Sequence, residues 1–189
     1  MTPQIILASG SPRREELLKK IIGKFKIINS NVDETSIKAL SPMLFAKKAS
    51  LLKAKAVAQK HSKDIVIGAD TIVVLGNKIL GKPKNKKDAI AMLQALSNKT
   101  HKVLTAITVV FPGPKIVSKV VTTKVKMKKI PFVAILDYVN SGKPMDKAGS
   151  YGIQEIEEQF IEKIEGDYDN VVGLPVLCLQ KILDQFIHF

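Results

Sequence analysis

The regular alternation of short apolar runs with helical runs is the feature that most constrains the fold of this chain. Residues 4–8 (Gln-Ile-Ile-Leu-Ala) are typical of a buried strand, and a glycine–serine turn ends it before Pro12 begins a helix predicted to reach about residue 22. A second strand is predicted at residues 25–28, and a long helix from Ser41-Pro42 to about residue 61. Strands that are connected through helices pair in parallel, so this half of the chain favours an α/β fold.

The rest of the chain adds strands that are joined by turns. An apolar strand is predicted at residues 64–69, ending at Asp70, with extended chain to residue 75 and a hairpin turn at Asn77. Further predicted elements are a helix at 86–96, β runs at 103–111 and 116–130 joined by Pro112-Gly113-Pro114, a helix at 132–139, a loop at 149–152, a strand at 160–164 and a helix at 174–186. Hairpins and helical crossovers together predict one α/β domain over residues 1–189, with a mixed sheet.

The chain is strongly basic, and its basic residues are almost all lysine. It has 30 Lys plus Arg against 17 Asp plus Glu, a formal net charge of +13, and the only arginines are Arg13 and Arg14. This charge fits a nucleic acid, a membrane surface, a small anionic substrate or merely a solvated lysine-rich surface. Lys124, Lys126 and Lys128 alternate with apolar residues and are expected on one solvated face. Because aromatic residues make up 5% and tryptophan is absent, we expect no specific nucleic-acid binding.

Cysteine usage and hydropathy indicate the expected cellular setting. Cys178 is the single cysteine, so no internal disulfide can form, and a reducing compartment and a buried, unreactive thiol are expected. The first residues lack the basic and apolar regions of a signal peptide, and no apolar stretch approaches the length of a membrane span. The expected location is the cytoplasm, with no membrane partner.

The turn at residues 9–14 (Ser-Gly-Ser-Pro-Arg-Arg) is the first candidate site. If Ser11 caps the helix, both arginines fall in its first turn, where the helix dipole is already positive. A helix start with backbone N–H groups, the hydroxyls of Ser9 and Ser11 and two guanidinium groups suits a phosphate. The alternative is a capped helix whose Arg13 and Arg14 pair with nearby carboxylates. The use of both arginines here, in a chain otherwise biased to lysine, favours the phosphate site.

Residues 76–83 (Gly-Asn-Lys-Ile-Leu-Gly-Lys-Pro) match the spacing of a phosphate-binding P-loop up to the last position. The Ser or Thr that would bind magnesium is replaced by Pro83, and the Ile-Leu pair is typical of a strand. A P-loop is therefore excluded. Lys82 can still offer a point charge to a phosphate, although a single lysine is more often a surface residue.

Two acidic positions follow predicted strands. Asp70 ends the strand at 64–69, and Asp33-Glu34 lies in the polar loop after the strand at 25–28. A carboxylate held among apolar residues is able to bind a divalent metal or to activate water, and a capping or turn role is the alternative. The presence of two acidic sites beside a predicted anion-binding turn favours metal binding or activation of water over a capping or turn role. The histidines show no ligand spacing, so neither a histidine metal site nor a Ser-His-Asp triad is expected.

Together these segments resemble the Maf family of nucleoside triphosphate pyrophosphatases over nearly the whole chain. The most specific matches are Ser-x-Ser-Pro-Arg-Arg at residues 9–14 and Gly-Ala-Asp-Thr at residues 68–71. The other matching segments are Asp33-Glu34, Lys53-Ala54, Lys82-Pro83, Thr-His-Lys-Val-Leu-Thr at 100–105, Asp-Lys-Ala-Gly at 146–149, Tyr-Gly-Ile-Gln at 151–154 and Val-Gly-Leu-Pro at 172–175.

The resemblance implies an inosine-triphosphatase-like α/β fold, with an elongated mixed sheet flanked by helices and two lobes around a central cleft. It implies hydrolysis of the bond between the α- and β-phosphates of a nucleoside triphosphate, with Mg²⁺ or Mn²⁺ as cofactor, and a homodimer. Asp70 would be the general base, and Glu34 and Asp70 would hold the metal; whether Asp70 is base, ligand or both stays open. The expected substrate-binding residues are Ser9, Ser11, Arg13, Arg14, Lys53, Thr71, Lys82 and Gln154.

Within the family, Thr71 and the Tyr-Gly-Ile-Gln segment resemble the branch that acts on dTTP and UTP, with modified nucleotides left open. The chain departs from the family at residues 155–158 (Glu-Ile-Glu-Glu), where glycines are usual, and at Ser97-Asn98, where Ser-Gly is usual. The acidic residues adjoin Gln154 and are able to alter base preference. The alternative functions are a non-enzymatic regulator of cell division or septum formation, and a basic nucleic-acid-binding module.

Overall fold

The structure of the protein, a computed structural model, describes residues 3–186, apart from the side chain of Glu157. The strands are β1 (Ile5–Leu7), β2 (Lys26–Ile27), β3 (Ile65–Leu75), β4 (Lys78–Leu80), β5 (Thr100–Val110), β6 (Ile116–Met127) and β7 (Ile161–Glu165). The helices are α1 (Pro12–Lys19), α2 (Pro42–Ala58), α3 (Lys86–Leu96), α4 (Phe132–Asn140), α5 (Ile153–Phe160), α6 (Tyr168–Val172) and α7 (Val176–Asp184), with 3₁₀ turns at Lys143–Asp146 and Ala148–Ser150.

The strands form one mixed sheet in the order β2-β1-β3-β5-β6-β7, and β4 pairs with β3. Strand β1 is parallel to both β2 and β3, whereas β3–β4 and β6–β7 are antiparallel. The parallel pairs are connected through α1 and α2, and the β3–β4 pair is a hairpin in which Gly76 takes a positive φ of 59°. The predicted mixed α/β sheet is therefore confirmed.

The chain divides into two compact units. The first contains Met1–Asp70, Thr105–Val121 and Gly173–Phe189, and the second contains Thr71–Leu104 and Thr122–Val172. The prediction of one domain with two lobes over residues 1–189 stays a prediction. No helix between residues 3 and 186 is long and apolar enough to cross a membrane.

In the first unit, helix α2 packs closely against the sheet. Its inward face consists of small residues, and the core on this side contains Ile6, Ala8, Ala54, Val57 and Val66. Gly68 in β3 permits the close approach, because a Cβ at this position would lie 2.5 Å from the Ser50 carbonyl oxygen and 2.7 Å from the Ala54 amide nitrogen. The contact sets the distance from α2 to the strand that carries Asp70.

In the second unit, His101 and Tyr151 form a buried pair. His101 Nε2 lies 2.6 Å from the Tyr151 hydroxyl, and the two rings meet edge to face. Burial lowers the pKa of His101 to about 4, so this imidazole is neutral at pH 7. The pair joins the start of β5 to the segment that leads into α5.

Some sequence predictions differ from the structure. Asp70 does not end a strand, because β3 continues without a break to Leu75. Helices α5 and α6 were missed; in α5, buried Ile153, Ile156 and Phe160 recur at helical spacing, which was a usable signal. Cys178 is half-buried rather than buried, since it lies beside the exposed face of α7. The predicted solvated face of Lys124, Lys126 and Lys128 is confirmed.

Candidate active site

The turn between β1 and α1 holds a buried hydroxyl and an anchored arginine. Ser9 is buried, and its Oγ accepts hydrogen bonds from Arg14 Nη1 at 3.1 Å and from the Ser11 amide at 3.3 Å. Arg14 Nε donates to the Gly173 carbonyl at 2.9 Å. Ser11 is the N-cap residue of α1, with extended backbone, and Pro12 is the first helical residue, as predicted. These contacts hold the Arg14 guanidinium group at the helix start.

The surroundings of Arg14 have opposing effects on the pKa of its guanidinium group. Burial lowers the pKa of Arg14, and the neighbouring Arg13 lowers it further, whereas Asp70 and Glu34 raise it. An arginine nevertheless stays protonated at any ordinary pH. The start of α1 therefore carries two adjacent positive charges together with the positive end of the helix dipole, which is a favourable position for a phosphate group.

Helix α2 supplies a lysine that bridges two carboxylates. Lys53 Nζ lies 2.6 Å from Asp70 Oδ1 and 2.8 Å from Glu34 Oε1. Asp70 is carried by β3, and Glu34 by the loop that follows β2. The Lys53 side chain is 14% exposed and that of Asp70 7%, so solvent screens this ion pair weakly. The structure thus brings Glu34, Lys53 and Asp70 together from three segments.

Asp70 has the properties of a proton acceptor. Burial raises the pKa of its carboxyl group, Lys53 and Arg14 lower it, and Glu34 raises it, with a net upward shift. Its Oδ2 atom is buried and has no hydrogen-bond partner among residues 3–186. A carboxylate with a raised pKa and an unused oxygen atom is able to accept a proton from water or to ligate a cation.

Three further predicted residues, Thr71, Lys82 and Gln154, belong to the second unit. Thr71 follows Asp70 in β3 and is half-buried, Lys82 is exposed beyond β4, and Gln154 is exposed in the first turn of α5. The next residue, Glu155, accepts a hydrogen bond from the Tyr138 hydroxyl at 2.7 Å and lies 3.1 Å from Lys147 Nζ. The unusual acidic residue beside Gln154 is therefore bound within its own unit.

Sequence reasoning missed two contributors to the site. Gly173 acts through its carbonyl oxygen, which no side-chain pattern reveals. Gly68 acts through its lack of a side chain, and a glycine inside an otherwise apolar strand was a signal of close backbone approach. Both act on residues that the sequence did single out, Arg14 and Lys53.

The side chains that are able to bind a divalent metal ion at this site are the carboxylates of Asp70 and Glu34. Within the described part of the chain, no group of three or more His, Cys, Asp and Glu side chains converges. Asp70 and Glu34 do converge on one cation, the Lys53 ammonium group, and Asp70 Oδ2 is unused. Two carboxylates suit Mg²⁺, which takes its other ligands from water and substrate phosphates. The residues present therefore fit such an ion.

Comparison with known proteins identifies relatives over almost the whole length. The family model described as Maf-like protein matches residues 4–186. A protein of Dictyoglomus turgidum named dTTP/UTP pyrophosphatase is 45% identical over 188 residues, which cover 98% of this chain and 97% of that protein. A protein of Alkaliphilus metalliredigens with the same name is 48% identical over 188 residues, with the same coverage of 98% and 97%.

The fold has solved counterparts. The Ham1 protein of Staphylococcus aureus matches with a TM-score of 0.59 over 96% of this chain and 98% of its own, at 16% sequence identity. At this identity the likeness concerns the fold alone, and it confirms the expected inosine-triphosphatase-like class. The family match over residues 4–186 and relatives more than 40% identical at nearly full coverage show that this chain belongs to the Maf family.

Proposed function

We propose that this chain is a nucleoside triphosphate pyrophosphatase that hydrolyses the α–β phosphate bond of dTTP and UTP, releasing the monophosphate and pyrophosphate. The names of its relatives support the reaction and the substrates. The observation that carries the proposal is the buried Asp70 carboxylate, which Lys53 holds in the unit that also contains the Ser9–Arg14 turn. A proton acceptor and an anion-binding turn are the two elements that water attack on a phosphate requires.

In the proposed reaction, Asp70 accepts a proton from the attacking water. Burial raises its pKa, which makes it a stronger base than an exposed aspartate, whereas Lys53 and Arg14 favour its ionised form and oppose the effect of burial. The backbone and hydroxyl groups of Ser9 and Ser11, with Arg13 and Arg14, neutralise phosphate oxygens. Lys53 and Lys82 add positive charge for the triphosphate.

Glu34 and Asp70 would hold a divalent ion, Mg²⁺ or Mn²⁺. When bound, such an ion polarises phosphate oxygens and stabilises the charge of the departing pyrophosphate. The fit rests on the convergence of the two carboxylates on Lys53 and on the unused Oδ2 of Asp70. The chain's own contribution is to place these oxygen atoms and to hold the phosphates nearby through Arg14.

We further propose that Thr71, Gln154 and Arg13 select a pyrimidine base, with modified nucleotides as further substrates, and that the protein acts as a homodimer in the cytoplasm. Support for these finer points comes from the motif resemblance. Light scattering of the purified chain tests the dimer. The expected mass is twice 20.7 kDa, and a monomer at micromolar concentration would refute it.

The decisive experiment is a hydrolysis screen over common and modified nucleoside triphosphates with Mg²⁺ and identification of products. We expect dTTP and UTP to be converted fastest, into monophosphate and pyrophosphate in equal amounts. Asp70→Asn should lower the rate at least about a thousandfold, because it removes both the base and a carboxylate. Asp137→Asn, an exposed residue on α4, is the matched control and should keep the full rate. Release of orthophosphate, or an active Asp70→Asn protein, would refute the proposal.

A further inference from the structure

We propose that Lys53 is the resident cation of the Glu34–Asp70 carboxylate pair, and that a divalent metal ion enters this pair by displacing the Lys53 ammonium group. The inference rests on the proposed function, because it concerns the metal that this function uses. It assigns Lys53 a role before substrate arrives, in addition to phosphate binding.

The distances place the ammonium group where an ion shared by the two carboxylates would lie. Lys53 Nζ is 2.6 Å from Asp70 Oδ1 and 2.8 Å from Glu34 Oε1. An ion such as Mg²⁺ bound by the same oxygen atoms needs contacts of about 2.0–2.1 Å. An ammonium group and a metal ion cannot both occupy that space, and their positive charges repel each other.

The balance of charge points the same way. The two carboxylates carry two negative charges, which Lys53 and the nearby Arg14 already compensate. A divalent ion that joined this set without displacing a cation would leave an excess of positive charge in a weakly solvated place. Departure of the ammonium group lowers this excess from two positive charges to one and frees the ammonium group for the phosphate groups that arrive with the nucleotide.

The two cations near the carboxylates, Arg14 and Lys53, differ in how freely their side chains can move. Arg14 is anchored by hydrogen bonds to Ser9 Oγ and the Gly173 carbonyl, so its guanidinium group is the fixed cation. The backbone of α2 is held against Gly68, but the Lys53 side chain has four rotatable bonds beyond its Cα. Lys53 is therefore able to swing away through a change of rotamer, with no movement of the helix.

Asp70 keeps one coordination position unused. Its Oδ2 atom is buried and has no hydrogen-bond partner within residues 3–186. If a metal ion bound only this oxygen atom, Lys53 would keep its contacts with Oδ1 and Glu34. The two possibilities differ in the accessibility of the Lys53 amine, which can be measured directly.

The first experiment measures lysine acetylation by an N-hydroxysuccinimide ester, followed by mass spectrometry, with the full chain and no nucleotide. On saturation with Mn²⁺, monitored by electron paramagnetic resonance, we expect the acetylation rate of Lys53 to rise at least about threefold, since an amine released from its two carboxylate partners is more accessible to the reagent. Lys55, exposed on the same helix, is the internal control and should not change. An unchanged or lower rate at Lys53 with Mn²⁺ bound would overturn the inference.

The second experiment compares the affinity for Mn²⁺ of Lys53→Met and Lys55→Met, again without nucleotide. Lys53→Met should bind Mn²⁺ about five- to thirtyfold more tightly than the unaltered chain, because the competing ion pair is gone. Lys55→Met loses the same charge on the same helix and should change the affinity less than about twofold. Equal or weaker binding by Lys53→Met, or no Mn²⁺ binding by any of the three proteins, would overturn the inference.

Two further measurements keep the outcomes separate. Thermal unfolding shows whether Lys53→Met is folded, and Lys53→Gln replaces it if it is not. Pyrophosphate release from dTTP by the unaltered chain tests the proposed function independently. If dTTP is hydrolysed but Mn²⁺ does not displace the Lys53 ammonium group, only the displacement is refuted. If Mn²⁺ displaces the ammonium group but no nucleotide is hydrolysed, the proposed reaction is refuted.

Discussion

Arg14 Nε donates a hydrogen bond to the Gly173 carbonyl at 2.9 Å, across 159 residues of sequence. The same side chain donates through Nη1 to Ser9 Oγ, so two edges of one guanidinium group are held by separate segments of the first unit. A planar group that is fixed at both edges has a defined orientation toward a phosphate, which a flexible ammonium group does not.

Arg14→Lys tests this orientation. Lysine keeps the positive charge but cannot make both hydrogen bonds, so we expect kcat/KM for dTTP to fall roughly 10- to 100-fold. Steady-state kinetics measure the effect. Lys20→Arg, which also exchanges lysine and arginine but lies at the other end of α1, is the control and should leave kcat/KM unchanged. Unchanged kcat/KM in Arg14→Lys would show that charge alone is sufficient.

Gly68→Ala tests the close packing of α2 on β3. The new Cβ would lie 2.5 Å from the Ser50 carbonyl oxygen and 2.7 Å from the Ala54 amide nitrogen, and these are backbone atoms on either side of Lys53. We expect a loss of about 2 kcal/mol or more in the free energy of unfolding, together with lower activity as Lys53 moves away from Asp70. Urea denaturation measures the stability.

Gly23→Ala is the control for that substitution. A Cβ on Gly23 meets nothing within 4 Å, so the free energy of unfolding should change little. Equal stability of the two variants would contradict the packing argument.

The pH dependence of hydrolysis should reflect Asp70. Because burial raises the pKa of this carboxyl group, and because a base must be ionised, kcat/KM should fall on acidification with a midpoint above the ordinary aspartate value of about 3.9. A pH–rate profile of kcat/KM for dTTP, measured at constant metal saturation, checks this. A midpoint at or below the ordinary value would contradict the role of Asp70 as base.

His101 should make the stability of the fold sensitive to acid. Burial lowers its pKa to about 4 in the folded chain, whereas the unfolded chain takes up the proton near pH 6.5. Between these values the unfolded state binds one more proton, so stability should fall by about 1.4 kcal/mol for each pH unit of acidification. Urea denaturation at pH 7, 6 and 5 checks this, and in His101→Gln the dependence should be shallower by that amount.

Glu155 should position the start of α5 beside Gln154. Its carboxylate accepts a hydrogen bond from Tyr138 and pairs with the buried Lys147, so Glu155→Ala removes both contacts. If Gln154 contacts the base, KM for dTTP should rise several-fold with a smaller change in kcat. Glu158→Ala, with an exposed side chain on the same helix, is the matched control. Equal KM values in both variants would exclude the positioning role.

Local patterns were sufficient for most elements. The prediction of a helix at residues 86–96 is confirmed by α3, and the Pro12 and Ser41-Pro42 helix starts are confirmed by α1 and α2. Capping residues, prolines and hydrophobic periodicity influence helix formation over one or two turns, so they can be recognised from the sequence alone. The strand end predicted at Asp70 was wrong because a strand's length depends on its partners in the sheet, whereas the extended chain predicted to residue 75 and the hairpin turn predicted at Asn77 are confirmed by β3 and its pairing with β4.

The sequence by itself determined the α/β alternation, and it predicted an anion-binding turn at Ser9–Arg14 and a functional role for Asp70. Only the tertiary structure decided that Lys53 bridges Asp70 and Glu34 and that Gly173 holds Arg14. The reason is physical: local backbone preferences depend on neighbouring residues, whereas these contacts join segments that are distant in the sequence. The contact of Lys53 with Asp70 depends on how closely α2 approaches β3. That approach is permitted by the missing side chain of Gly68; a glycine in a strand signals a close approach, but only the tertiary structure decides that α2 is the partner.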